Sequence, residues 1–341
     1  MTLAPWLIPL WRKVAERFDQ LPHGVLLSGP GGVGKRAFAE ALAARLLCER
    51  ASGEQTACGQ CEPCTWRESG NHPDLHYLVP EAESAEESDR KQSKQIVIDQ
   101  VRALQRALSV TAHHGGRRVV IVDPVEAMNP FTANALLKLL EEPPADTTLL
   151  LVSSQPRRLL PTIRSRCQQW AVARPAAQIA AAWLKAQAVP DAQTLLDLSG
   201  GLPLAAQRMA GQGAHEHLKR FIADLERLPG ADPIKLAGQW ESWIKSKDAI
   251  ASGFDQVTLI DWTQRWIADL ATIRLGGQAR FFPSRRSVLE RLAGGLSVSR
   301  SLACYNEINQ IRRLAQHPLN LRLALEDMLL RYSRAFSENK P

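Results

Sequence analysis

Cys58-Gly59-Gln60-Cys61-Glu62-Pro63-Cys64 is a Cys-x2-Cys-x2-Cys run, and Cys48 precedes it by ten positions at the end of a helical pattern. Four thiolates at this spacing can enclose one Zn²⁺ tetrahedrally, because two-residue spacers suit the tight turn of a metal knuckle. With four protein ligands no coordination position is open, so such a metal is structural and not catalytic. Residue types alone leave two other outcomes standing: an iron–sulfur cluster, or no metal. A disulfide pair fits poorly with a reducing compartment. Cys167 and Cys304 carry no cluster spacing, and His23, His72 and His76 are rival ligands for a set that the four cysteines already complete.

A second constellation is Gly29-Pro30-Gly31-Gly32-Val33-Gly34-Lys35-Arg36, which follows an apolar run at 25–28 and opens a helical pattern. It is nearly the phosphate-binding form Gly-x4-Gly-Lys-[Ser/Thr]. Gly29, Gly31, Gly32 and Gly34 let the backbone aim N–H groups at phosphate oxygens, and Lys35 is placed to reach the β- and γ-phosphates. The last position departs from the form. Arg36 stands where a hydroxyl ligates Mg²⁺, and a guanidinium has no lone pair to offer a metal. Nucleotide binding therefore competes with a loop kept only for its structure, and hydrolysis by the chain alone is not expected. The apolar run 119–122 delivers Asp123, which could hold Mg²⁺ through water. An acidic residue that orients the attacking water normally follows at once; here Pro124 and Val125 intervene before Glu126, which could be catalytic but is expected instead to cap or pair at the following turn and helix.

The elements around these residues fall into two regimes. Short, nearly continuous apolar runs at 24–28, 75–79, 119–123 and 148–153 suit a parallel sheet covered on both faces. Helical patterns lie between them at about 34–50, 98–111 and 130–141, with Asp99 as a cap for the second and Pro143-Pro144 ending the third. Beyond 173 the pattern is helix upon helix, broken at Pro190, Gly200-Gly201, Gly211 to Gly213, Pro229-Gly230, Gly276-Gly277 and Pro283. The expected organisation is an α/β domain at 1–173 carrying the cysteine module at 48–64, a small helical domain at 174–212, and a helical domain at 213–341 that offers an oligomerisation surface. The stretch 81–94 runs from acidic to basic without apolar content and reads as a solvated insertion. The spacing of 318–330 reads as a helix packed into a core.

The chain has 341 residues, 45% hydrophobic and 23% charged, which excludes a wholly disordered, collagen-like or small disulfide-stapled protein. With 42 Lys and Arg against 35 Asp and Glu the net charge is +7, which permits nucleic-acid contact without establishing it. No apolar run is long enough to span a bilayer. The first residues carry their charges after the apolar stretch, interrupted by Pro5 and Pro9, so no signal peptide is read and the expectation is a cytoplasmic protein without a membrane partner.

Four blocks together resemble the delta-prime family of bacterial DNA polymerase III clamp-loader subunits, in the AAA+ superfamily. They are Cys48 with the 58–64 knuckle; the stretch from Val119 through Asp123-Pro124-Val125-Glu126-Ala127-Met128-Asn129; Asn134-Ala135-Leu136-Leu137-Lys138-Leu139-Leu140-Glu141-Glu142-Pro143-Pro144; and Thr162-Ile163-Arg164-Ser165-Arg166-Cys167. The resemblance covers nearly the whole chain. It implies an AAA+ P-loop domain with a structural zinc knuckle, then a small helical lid domain, then a helical collar. It implies a place in a five-membered open ring that loads the sliding clamp onto primed DNA, with gamma or tau ATPase subunits and the delta subunit as partners. ATP and Mg²⁺ would act at a neighbouring subunit, to which the Ser-Arg-Cys motif supplies an arginine finger. Carried over, that finger is Arg166, with Arg164 as a companion; by residue type alone Arg166 reads as a surface salt-bridge partner.

The same resemblance places Ser153 and Ser154 in the sensor-1 region. It puts Ser199 to Ala205 at the start of the sensor-2 helix, with Leu204 where the ATPase subunits carry arginine. Arg36 and Leu204 then make two defects, and the implied role is a largely non-hydrolysing stator without polymerase or ATPase activity of its own. Lys138, Arg102 and Arg106 either track DNA phosphates or are solvated helix faces. Two other functions remain in view. An active gamma- or tau-type ATPase would turn over Mg²⁺-ATP alone, and a structural DNA-binding module would bind primed DNA without partners.

Overall fold

The computed structural model describes residues 3–83, 93–109, 116–314 and 320–336. Most of the 81–94 insertion, the last residues of the helix expected to reach 111, and Pro318 with Leu319 lie outside them. Contacts divide the chain into two compact units, Met1–Pro175 and Ala176–Pro341.

The first unit is built on five parallel strands: β1 (Gly24–Ser28), β2 (Leu75–Leu78), β3 (Arg118–Val122), β4 (Thr147–Ser153) and β5 (Gln168–Ala171), in the order β2-β3-β4-β1-β5. β1, β3 and β4 are buried along their whole length, which is why they read as continuous apolar runs instead of alternating ones. β5 has no such run. It is an edge strand with Gln168 and Gln169 exposed, so hydropathy gave no sign of it.

Helices α1 (Ile8–Ala15), α2 (Lys35–Leu47), α3 (Glu62–Glu68), α4 (Ile98–Leu108), α5 (Pro130–Glu141) and α6 (Pro161–Ser165) complete the unit. Leu26, Val120, Val122, Leu149 and Leu151 from the sheet pack with Val101 and Leu104 of α4 and Leu136, Leu139 and Leu140 of α5. Each such side chain contributes about 1.5–3 kcal/mol by leaving water. The α5 start is locally encoded: the Asn129 side chain accepts from the Thr132 N–H at 2.9 Å, and Pro130 needs no partner for a missing N–H. The α4 start differs from expectation. Asp99 lies inside the first turn, and Gln100 reaches back to accept from the Val97 N–H at 2.9 Å while donating to the Val79 carbonyl at 2.9 Å. This is the mixed α/β core with a parallel sheet that the sequence led one to expect.

The second unit contains only helices among its described elements: α7 (Ala177–Ala186), α8 (Ala192–Leu198), α9 (Pro203–Gly211), α10 (Ala214–Arg227), α11 (Pro233–Ile244), α12 (Lys247–Ser252), α13 (Gln256–Arg274), α14 (Arg286–Gly294), α15 (Val298–Leu314) and α16 (Leu321–Phe336). They share one buried cluster running from Ala180 to Ala335, with Phe221, Trp240, Trp262 and Trp266 at its centre. The Trp266 indole donates to the Tyr332 hydroxyl at 3.0 Å inside it. Asp269 is 1% exposed and accepts from the backbone N–H groups of Arg280, Phe281 and Phe282, which ties the 275–282 loop onto α13.

Candidate functional site

β1 runs directly into the glycine loop. A Cβ on Gly29 would lie 2.2 Å from the Val172 carbonyl oxygen, and Gly32 and Gly34 hold φ of +85° and +92°, so these glycines are demanded by the backbone. Lys35 opens α2 and is 5% exposed. Its ammonium donates to the carbonyls of Gly29 at 2.9 Å and Pro30 at 2.8 Å and to Ser154 Oγ at 3.0 Å. Three protons meet three acceptors, so the donor capacity of Lys35 is used within the chain. Burial lowers its pKa, with Glu126 and Asp123 pulling the other way.

Arg36 lies beside Asp123. Its Nε is 3.1 Å from Glu40 Oε1 and its Nη1 is 3.7 Å from Asp123 Oδ2. Where a hydroxyl, a metal and the strand-end carboxylate would line up, a guanidinium pairs with the carboxylate directly. Glu126 does not serve its own turn. Its Oε1 accepts from the Ser154 N–H at 2.8 Å, fastening the segment after β3 to the end of β4.

Arg166 sits elsewhere. It follows α6 and precedes β5, whose parallel register with β1 pairs Val25 with Gln168 and Ser28 with Ala171. Arg166 is therefore at the sheet edge where these strands begin, and the glycine loop is at the edge where they end, roughly 15–20 Å away by the rise of a strand. The Arg166 side chain is 37% exposed; Nη2 lies 2.7 Å from Glu141 Oε1 and Nη1 donates to the Thr162 carbonyl at 3.1 Å. A Cβ on Gly24 would come within 3.1 Å of the Arg166 carbonyl oxygen, so the first residue of β1 allows this backbone to approach. Neighbouring Cys167 is buried, which pushes its thiol up to about 11.

The four cysteines converge. Cys48 lies just past the end of α2, Cys61 precedes α3, Cys64 lies in its first turn, and Cys58 comes from the loop between; all four Sγ atoms are within 4.8 Å of one another. The Cys48–Cys61 and Cys58–Cys64 sulfur separations are 3.8 and 3.9 Å. Tetrahedral bonds of about 2.3 Å require sulfur–sulfur edges of about 3.8 Å, so the residues fit a single ion of the zinc type. Sulfurs gathered around one point suit one ion better than a cluster whose irons lie apart. Backbone N–H groups of Gln60 and Cys61 hold the Cys58 thiol down at about 6, while burial pushes Cys64 up to about 12. A bound dication would keep all four as thiolates. No histidine joins the group among the described residues.

The remaining candidates are dispersed. Arg102 pairs with Asp99 at 3.4 Å, and Arg106 and Lys138 are exposed on α4 and α5. Ser153 is fully buried, and Leu204 is half-buried in α9 of the second unit. Sequence reasoning missed Glu40 and Glu141 as partners of the two arginines. Glu40 was within reach, since it follows Arg36 at helical i,i+4 spacing. Glu141 was not, because 25 residues separate it from Arg166 and only the packing of α6 beside α5 joins them. No described helix is long and apolar enough to cross a membrane.

Comparison with known proteins follows the same line. A family model described as DNA polymerase III, delta subunit, matches residues 7–176. Among solved structures, a DNA polymerase III gamma subunit-related protein from Thermotoga maritima superposes with a TM-score of 0.48 at 18% identity, covering 97% of this chain and 99% of that one. The DNA polymerase III subunit delta′ of Pseudomonas aeruginosa is 39% identical over 96% of this chain and 97% of its own length. That of Escherichia coli is 30% identical over 96% of this chain and 94% of its own. The chain belongs to the DNA polymerase III delta-prime subunit family.

Proposed function

We propose that this chain acts in DNA replication as the delta-prime subunit of a clamp-loading complex, a largely non-hydrolysing stator that lends Arg166 to the ATP site of a neighbouring gamma- or tau-type subunit. The observation that carries this reading is the position of Arg166, half-exposed at the sheet edge opposite its own glycine loop. A guanidinium there is out of reach of any nucleotide held by Gly29, Gly31, Gly32, Gly34 and Lys35, so as a finger it can serve only another chain. Charge spreads over the γ-phosphoryl oxygens during transfer, and an arginine supplied in trans stabilises it.

The chain's own loop supports the stator half of the reading. Lys35 is engaged by three internal acceptors, and Arg36 occupies the place beside Asp123 that a metal would need. On this reading residues 1–173 are the AAA+ domain, 174–212 a lid and 213–341 a collar that meets the other subunits, including delta. The sliding clamp and primed DNA are engaged through the complex. The ion at Cys48, Cys58, Cys61 and Cys64 is structural Zn²⁺.

The test is turnover of ATP, stimulated by clamp and primed DNA, in a loader reconstituted with this chain or with Arg166→Ala, assembly of both being checked by mass. A fall of roughly tenfold or more with assembly intact is expected. Unchanged turnover removes the finger role. Mg²⁺-dependent turnover by the isolated chain would instead favour a gamma- or tau-type ATPase.

A further inference from the structure

We infer that Glu141 is the positioning residue of the Arg166 finger, an inference that rests on the reading of Arg166 given above. Arginine is a long side chain, and at 37% exposure nothing in its own burial fixes its rotamer. Two contacts do. Nη1 is held by the Thr162 carbonyl in the first turn of α6, which also accepts from Ser165 Oγ, and Nη2 by an ion pair with Glu141 Oε1 at 2.7 Å. Anchoring both terminal nitrogens fixes the plane of the guanidinium as well as its reach. Of the five N–H protons of the fork, one goes to the Thr162 carbonyl and the Glu141 ion pair occupies the Nη2 side, which leaves the others to meet phosphate oxygens.

The anchor is itself rigid. Glu141 is the last residue of α5, a helix capped at its start by Asn129 and buried through Leu136, Leu139 and Leu140. Glu141 ends α5 and Arg166 itself caps the C-terminus of α6, and the partial negative charge of those helix ends favours a cation between them. At about half exposure the ion pair itself is worth little, so the work of Glu141 is orientation. The Thr162 contact uses backbone and survives any substitution there; Glu141 is the adjustable half of the clamp.

The experiment is clamp- and DNA-stimulated ATPase in the reconstituted loader with Glu141→Ala, Glu141→Gln, Arg166→Ala and the Glu141→Ala/Arg166→Ala double variant, assembly again confirmed by mass. Glu141→Ala is expected to lower kcat about fivefold or more with the KM for ATP little changed, since a misaligned reacting group costs rate and the neighbour still binds ATP. Glu141→Gln, which keeps an acceptor oxygen in place, is expected to retain most of the rate. The double variant should be no slower than Arg166→Ala. Should the alanine variant fail to assemble, Glu141→Asp, one methylene shorter, takes its place with the same expected loss. Full turnover by Glu141→Ala beside a slow Arg166→Ala overturns the positioning role and leaves the finger standing, as does an additive loss in the double variant. If Arg166→Ala itself turns over normally, the finger reading falls and this inference falls with it.

Discussion

At the scale of single residues, Arg36 separates this loop from the Gly-x4-Gly-Lys-[Ser/Thr] form. Its contact with Asp123 is long, at 3.7 Å, and its side chain is half-exposed, so the pair contributes on the order of 1 kcal/mol or less. On the proposed reading, the obstacle to Mg²⁺-nucleotide is therefore not a strong bond that holds the site shut. It is the loss of a ligand and the presence of a cation where a second cation has to enter. Arg36→Thr supplies the hydroxyl and releases Asp123 in one step. Titration with a fluorescent ATP analogue is expected to show affinity at least about tenfold tighter with Mg²⁺ than without it for this variant, as a metal bridging protein and phosphate requires. Equal binding with and without Mg²⁺ would show that the internal bonds of Lys35, and not Arg36, close the loop.

At the scale of elements, the cysteine module is a segment without a core. Its buried cluster consists of Cys48, Cys61 and Cys64, with only Ala51, Ala57 and Cys58 packed against it. Fourteen residues of chain between α2 and α3 thus have almost no apolar burial to offset their ordering, and on the proposed reading the ion supplies it. One Zn²⁺ per chain is expected by native mass measurement. Its removal by a chelator, or Cys61→Ser, should open the 48–68 region to protease while the far-ultraviolet signal of the rest persists; an unchanged cleavage pattern would sink this. The same contrast between local and distant causes explains what could be read from the residues alone. β1, β3 and β4, the glycine loop and the knuckle were legible because each is set by composition or spacing within a few positions. β5, the Gln100 closure of α4, the Glu126 bond to Ser154 and the Glu141 clamp were not, because each depends on a partner brought near by the fold.

At the scale of the molecule, the second unit has a pH sensitivity of its own. His217 stacks on Phe254 at 4.4 Å between ring centres, and the Trp243 indole, which can only donate, bonds to its Nδ1 at 3.1 Å. The proton of the neutral ring is thereby placed on Nε2, facing Ser252 Oγ at 2.9 Å. Burial pushes the His217 pKa below its ordinary 6.5, with Arg220 helping and Asp248 and Glu216 opposing. The unfolded chain therefore binds this proton more readily than the folded one. The contribution to stability is present above about pH 6.5 and is lost as pH falls from there through the lowered value. Thermal unfolding is expected to show a midpoint that drops between pH 7.5 and 5.5 and a shallower drop for His217→Phe; parallel curves would refute it.

The opposed sheet edges of the first unit carry a consequence of another kind. Subunits that each receive at one edge and give at the other form a succession with a direction, in the head-to-tail manner of heterologous contacts. On the proposed reading this chain gives through Arg166 and does not receive, because Arg36 and Lys35 are already answered from within. It can stand only at the start of such a succession. Counting members then overstates the number of working sites by at least one, and the place where firing begins is set by which chain cannot fire.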